Sequence, residues 1–358
     1  MRCCSRLLRG AGFIEALARL RLSGSGEVMT HRSVPFWKTL VPIICSGLLL
    51  ALLYSKVDLE QLRQALGRVS WPVFVVALGV GGLLSILSGW RYSFFANVIG
   101  VQPSPGYGSS LKSYFIAASF NLLLPSKLGD LGKGALCARI DRCRYPIDLH
   151  LFTLYEKVSD LFALLLLGVL LALCSAGAQG AIPALAPGGS FAWFQGVLLL
   201  STALLVPVII PHRRGGFLAA SLKPLPRKLR EAALFATHFS WAQFLAFQAV
   251  SLALWALHLV QMALFAQCLG MSLWSPSGLL ALIASVVVGL LPISFAGIGP
   301  RDGALAVLLK PLYGAVQPLL LGVLLTSRYV LPALVGLPLL RELAAPAPDD
   351  PPLSPPGA

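Results

Sequence analysis

Charge is what this chain has least of. Only 12% of its 358 residues are charged and 14 are acidic, whereas 57% are hydrophobic and the mean hydropathy is +0.80. A soluble protein of this length carries roughly a quarter of its residues as charges, so a soluble globular class is excluded and a bilayer is the fitting solvent. The seven cysteines are odd in number and include no Cys-x-x-Cys pair or zinc-spaced His partners, which removes a metal site. Cys174 and Cys268 both approach the expected outer face, yet nothing in the sequence pairs them. The five histidines are scattered; His238 and His258 fall on one expected helix, too far apart for a ligand pair, and read as packing. No metal and no cofactor is expected. Asp-x-Asp is also missing.

The net charge is +14. Basic residues sit in short loops beside apolar runs, without a basic face interleaved with aromatics, so they report topology and anionic lipid rather than nucleic acid. Residues 1–37 hold Arg2, Arg6, Arg9, Arg19, Arg21 and Arg32 and have no signal-peptide core or cleavage site. They read as a basic cytoplasmic segment, with Met29 as an alternative start. The membrane domain is expected over 38–342, and the Pro/Ala-rich tail 343–358 reads as disordered.

What is present is a segment that appears twice. Ile116-Ala117-Ala118-Ser119 leads to Leu123-Leu124-Pro125, Gly129, Gly132-Lys133 and Gly134-Ala135-Leu136. Roughly 170 residues later, the spacing of a duplicated half, Ile283-Ala284-Ser285 leads to Leu290-Leu291-Pro292, Gly297, Gly299, Arg301 and Gly303-Ala304-Leu305. Phe95-Ala96-Asn97-Val98-Ile99-Gly100 returns as Phe265-Ala266-Gln267-Cys268-Leu269-Gly270. The first repeat is expected at about 72–175 and the second at about 238–341.

Spans are expected at 39–54, 72–99, 148–175, 191–210, 238–269 and 317–340, with interrupted segments at 109–140 and 277–309. Asp58 with Gln61 forms a capping box for a short surface helix; Asp58 and Glu60 are also the acidic pair a lipid-linked transferase would use. If 109–124 crossed fully, the loop with Lys127, Lys133, Arg139, Arg142 and Arg144 and the cluster 213–230 would lie outside. If 109–140 dips in and returns, both clusters stay inside, as the positive-inside rule demands. The expected fold is therefore an all-α, multi-pass membrane bundle of two inverted-topology repeats, each with a Pro/Gly-broken re-entrant hairpin. Broken backbone at depth is tolerated only where protein covers it or a wet cavity faces it.

Charges at that depth cost about 2.5–3.5 kcal/mol each unless paired or hydrated. They are Arg91, Lys127, Asp130, Lys133, Glu156, Lys157, Asp160, Arg301, Asp302 and Arg328. Glu156 and Asp160 share one helix face, and Lys157 and Arg328 occupy comparable places in the two repeats. Internal salt bridges are one reading of these charges, and snorkelling is one for Arg91 and Lys112. At the Gly-rich breaks, Lys127, Lys133 and Arg301 suit a phosphate.

The blocks Asn121-Leu-Leu-Leu-Pro125, Gly129-Asp130-Leu-Gly132-Lys133, Glu156-Lys157 with Asp160, and Leu291-Pro292-Ile-Ser294 with Gly297-Ile-Gly299-Pro-Arg301-Asp302-Gly303 give the chain a likeness. It resembles the transmembrane, flippase-like domain of lysylphosphatidylglycerol synthetases over roughly 38–342. The resemblance implies a bacterial or archaeal inner-membrane protein that translocates or handles a polar lipid. Members that transfer an aminoacyl group carry a soluble domain after the membrane part, so a stand-alone member without that activity is expected. The family pattern favours Glu where Asp302 stands and a small or aliphatic residue where Pro300 stands.

The expected function is flippase-like translocation of a polar phospho- or glycolipid headgroup, a transporter rather than an enzyme. Lys127, Lys133 and Arg301 would hold phosphate, while Glu156 and Asp160 would bind a cationic group or a coupling proton. Arg91, Asn121, Asp130, Lys157, Asp302 and Arg328 complete the path, and Pro125, Gly129, Gly132, Pro292, Gly297 and Gly299 break the helices. Expected partners are an anionic or polar lipid and a separately encoded headgroup-modifying enzyme. The alternatives are a membrane-embedded transferase acting on a lipid or a polyprenyl-linked sugar donor, and a scaffold for another lipid enzyme. Cysteines substituted for Arg142 and Arg227 are expected to react from the cytoplasmic side together; labelling from opposite sides contradicts the dipping segment.

Overall fold

A computed structural model describes residues 48, 59–67, 69–102, 104–123, 128–141, 147–176, 199–203, 205, 235–290, 298–314 and 316–344. Among them every regular element is helical: α1 (Leu59–Gly67), α2 (Trp71–Val98), α3 (Tyr107–Leu123), α4 (Leu128–Leu131), α5 (Lys133–Ile140), α6 (Ile147–Ala176), α7 (Trp241–Cys268), α8 (Pro276–Gly289), α9 (Pro300–Tyr313) and α10 (Val316–Leu339). Short 3₁₀ turns cover Ala236–His238 and Leu340–Ala344. Asp58, the span at 39–54, the basic cluster 213–230, and Pro125, Lys127, Pro292 and Gly297 lie outside the described residues.

Among the described residues four helices are long and apolar enough to cross a bilayer: Trp71–Val98, Asp148–Cys174, Trp241–Cys268 and Val316–Leu343. Much of their apolar surface is unburied, with Val75, Leu173 and Leu245 each more than half exposed, as helices facing lipid tails require.

The two helices that carry the matched sequence blocks, α2 and α7, are alike in outline. α2 and α7 are both 28 residues long, and each follows a serine, Ser70 or Ser240. Each ends in the same reversal. Gly100 and Gly270 both have φ of +75°, the left-handed conformation an L side chain resists, and this brings the next N–H back to an earlier carbonyl. Val101 donates to Ala96 at 2.9 Å and Met271 donates to Ala266 at 3.0 Å. One boundary differs from expectation. His238 lies in a 3₁₀ turn rather than on the helix, because Ser240 and Gln243 form a capping box that starts α7 at Trp241, three residues later.

α2 and α7 pack against each other in opposite directions. The Ser70 N–H donates to the Cys268 carbonyl at 3.0 Å, Gln261 Nε2 to the Ala77 carbonyl at 3.1 Å, and Gln243 Nε2 to the Val98 carbonyl at 3.1 Å. Besides packing between elements adjacent in sequence, α3 packs extensively on α10, and α8 packs on α6. An aromatic core of Tyr92, Phe95, Phe152, Tyr155, Phe239 and Phe247 joins α2, α6 and α7; a second, largely aliphatic core joins α7, α8, α9 and α10.

The α3–α10 seam is the closest approach of the two halves. Ser119 Oγ donates to the Ala333 carbonyl at 2.7 Å, and a Cβ built on Gly336 meets the Phe115 carbonyl and the Ser119 hydroxyl. Only glycine lets the backbones come this near. Gly303, by contrast, has open space where a Cβ would stand. Gly336→Val is expected to cost about 2 kcal/mol or more through overpacking. Gly303→Ala should be neutral or stabilise by up to about 1 kcal/mol through helix propensity. Unfolding in detergent checks both.

Candidate functional site

Arg91 lies on the third quarter of α2, and its backbone cannot avoid placing a guanidinium deep in the bundle, where it is 3% exposed. It is held from two other helices. One nitrogen meets Asp160 at 2.6 Å and Ser251 at 2.9 Å; the other meets Glu156 at 2.8 Å and Asp160 at 3.1 Å. The four-residue spacing of Glu156 and Asp160 on α6 presents both carboxylates to one planar donor. Arg91 therefore does not snorkel to an interface. Lys112 does lie near solvent, 44% exposed and paired with Glu342 at 3.0 Å.

Lys133, the first residue of α5, brings a second cation to Glu156, with 3.2 Å to each oxygen, and stacks over the Tyr92 ring at 3.9 Å. Lys157 turns away from Glu156. It bridges Asp130 at 3.2 Å and Asp160 at 3.8 Å. Asn121 at the end of α3 donates to Asp130 at 2.7 Å and accepts the Asp130 N–H at 3.2 Å, fixing α4 against α3 across the break. Arg91, Lys133 and Lys157 thus face Glu156, Asp160 and Asp130, and the formal charges balance. Glu156 and Lys133 are sealed, whereas Lys157, Asp130 and Asp160 keep 31%, 32% and 20% of their side-chain surface open.

The second half builds its break differently. Gly299, with φ of +99°, precedes α9, and its N–H donates to Asp302 at 3.3 Å. The other Asp302 oxygen accepts two bonds from Arg301, at 3.0 and 2.8 Å. Arg301 also donates to the Gly322 carbonyl at 2.8 Å and Thr326 at 2.9 Å on α10. Two residues on, Arg328 donates to His258 Nδ1 at 2.9 Å and lies 5.6 Å from the Tyr329 ring. Among the described residues no carboxylate forms an ion pair with Arg328.

Eight of the singled-out charges are therefore gathered into two balanced groups, and Arg328 stands apart from both. Gly132 separates α4 from α5, and Gly129 lies inside α4, where a Cβ would collide with α3. Ser251, Thr326 and His258 join the site without any sequence signal, since each is an ordinary residue on an apolar helix. Of the acidic alternative, Glu60 accepts from Gln64 at 3.3 Å along its own exposed helix, and Asp58 lies outside the described residues. Among the described residues no group of three His, Cys, Asp or Glu could hold a metal, and Cys137, Cys174 and Cys268 are free thiols.

A family model described as lysylphosphatidylglycerol synthase TM region matches residues 39–336. No curated protein and no solved structure matches the chain.

Breaking the sealed part of the network should cost more than breaking its open edge. Glu156→Gln leaves Lys133 without its ion pair and Arg91 with Asp160 alone, and is expected to lose about 3–5 kcal/mol of stability. Glu342→Gln, at the exposed Lys112 pair, should lose no more than about 1 kcal/mol. Denaturant unfolding of the two variants makes the comparison; equal losses would contradict a sealed network.

Proposed function

Since this chain belongs to the lysylphosphatidylglycerol synthase TM region family, which points to lipid handling or modification, and is a multi-pass membrane protein, we propose that it works as a lipid flippase. Its cargo is a polar phospho- or glycolipid headgroup carried across the inner cell membrane. The observation that carries this reading is the group of ionised side chains at depth that remains partly open: Lys157, Asp130 and Asp160. A charge facing lipid tails is expensive, so the open flank of these three residues borders a polar cavity.

Further support comes from direction. α2 and α7 hold the same place in their repeats and run antiparallel, which is what inverted-topology repeats produce. The interruptions 109–140 and 277–309 then form re-entrant hairpins that enter from opposite faces. Each packs against the long helix of the other half, so a rocking motion of one half against the other exchanges which side the cavity opens to. The N-terminus lies in the cytoplasm.

A headgroup enters by substitution. Its cationic part displaces Lys157 from Asp130 and Asp160, and its phosphate takes up the released ammonium, with Lys127 at the first break as a further donor; Lys133 and Arg301 keep the partners that seal them and line the breaks behind it. Each displaced ion finds a replacement partner, so no bare charge crosses the apolar centre. Arg91 and Glu156 hold α2 and α6 in place around this exchange, and the tails stay in the bilayer.

The test is lipid headgroup translocation in reconstituted vesicles, read by accessibility to a membrane-impermeant quencher. Lys157→Ala and Asp160→Asn are expected to slow transfer by about ten-fold, a change of about 1.4 kcal/mol in the barrier. Rates equal to wild type in both variants would remove these residues from the path.

A further inference from the structure

We propose that Arg328 and His258 form a binding site for a phosphate-class anion, either a phosphodiester headgroup or free phosphate, within the second half of the membrane domain. The site deepens the flippase reading by giving the anionic part of the cargo a second station, in the other half from Lys157, and it rests on that reading for the route by which a lipid arrives.

Arg328 is the thirteenth of the 24 residues of α10, too central to reach an interface. A guanidinium is always ionised and carries five N–H donors. The bond to His258 Nδ1 occupies one of them, and Nε is buried with no partner. Tyr329 presents a ring face to it, shared with Arg301 at 6.0 Å. Arg301 is already committed to Asp302, Gly322 and Thr326, and Asp302 cancels its charge. Two cations and one carboxylate thus surround Tyr329, leaving a surplus of one positive charge at a depth where an uncompensated ion is costly.

Comparison of the halves shows where the counter-charge went. Lys157, in the comparable place of the first half, has Asp130 and Asp160 beside it. With Lys157 set against Arg328, a shift of 171 residues, Glu156 and Asp160 correspond to Ser327 and Leu331. The second half retains the cation and has replaced the carboxylates with a hydroxyl and an aliphatic group. Among the described residues no side chain supplies the counter-charge, and an anionic ligand suits the place.

The donors select its chemistry. Because Nδ1 of His258 accepts from Arg328, the ring is neutral there and holds the guanidinium in position. The remaining donors of a planar fork suit a tetrahedral oxyanion with several acceptors. In a bilayer the abundant group of that kind is the phosphodiester of an anionic phospholipid. Arg328 as a whole remains only partly buried, so a ligand can approach it.

The experiment measures ligand-induced thermal stabilisation of the purified full chain in detergent, with phosphatidylglycerol, diacylglycerol and inorganic phosphate as separate probes. Wild type is expected to respond to phosphatidylglycerol and not to diacylglycerol, and Arg328→Gln to weaken the phosphatidylglycerol response by about ten-fold or more. Arg328→Lys, which keeps the charge and loses the fork, should fall between them. Stabilisation by phosphate that Arg328→Gln removes assigns the site to the free anion as well; a response to phosphatidylglycerol alone assigns it to the lipid. Equal responses of wild type and Arg328→Gln overturn the site, even if wild type moves lipid in vesicles. Loss of the response in Arg328→Gln upholds it, even if wild type moves none. A measurement on wild type alone guards against a variant that fails to fold. Phosphatidylglycerol carrying a photoreactive headgroup should cross-link near 254–262 and 325–332, and labelling confined elsewhere overturns the site.

Discussion

An ionised side chain inside a bilayer must carry its counter-charge with it, and the arrangement of this protein follows from that constraint. The fold meets it with Glu156, whose carboxylate lies 2.8 Å from Arg91 and 3.2 Å from Lys133 at 1% exposure. Three helices, α2, α5 and α6, are tied through this one group. Removing it would leave one buried cation with no ion pair and another with one carboxylate fewer, whereas trimming an aliphatic side chain at the same place would leave only a small void. Hydrophobic burial alone does not distinguish these helices from their lipid surroundings, so polar ties and close backbone approaches set their positions.

The two halves answer the same constraint unequally. In the first half, three cations and three carboxylates cancel, and part of the network stays open. In the second half Asp302 serves Arg301 and the N–H of Gly299 together, so the break before α9 is stabilised by the acid that neutralises its neighbour. Arg328 is left over. At the position one repeat on from Arg91 stands Gln261, whose amide donates to the Ala77 carbonyl and lies against Gly81. Two helices with matching sequence blocks thus carry a charged tie in one case, Arg91, and a neutral one in the other, Gln261.

Much of the frame was legible in the sequence. The expected spans at 72–99, 148–175, 238–269 and 317–340 differ from α2, α6, α7 and α10 by no more than a few residues, because long apolar runs bounded by Ser-Trp starts and Gly stops leave few choices. The repeat was visible because it preserves residue identities such as Gly100 and Gly270 at backbone positions with a steric need. Partnerships were less legible. Lys157 follows Glu156 in sequence but faces Asp130, since adjacent residues on a helix point about 100° apart while Asp130 arrives from another element. Arg91 was expected either to snorkel or to join the path, and the choice depended on where α6 packs. His258 gave no signal at all, because a lone histidine on an apolar helix acquires meaning only when Arg328 is brought beside it from 70 residues away.

The central claim is that buried charges here are balanced as a set rather than pair by pair. Lys133→Met and Glu156→Leu, made singly and together, test it by unfolding in detergent, because removing both leaves Arg91 and Lys157 with Asp160 and Asp130 in balance. The account predicts that Glu156→Leu alone loses several kcal/mol, about 3–5, and that adding Lys133→Met recovers most of the loss. Losses that simply add would contradict it.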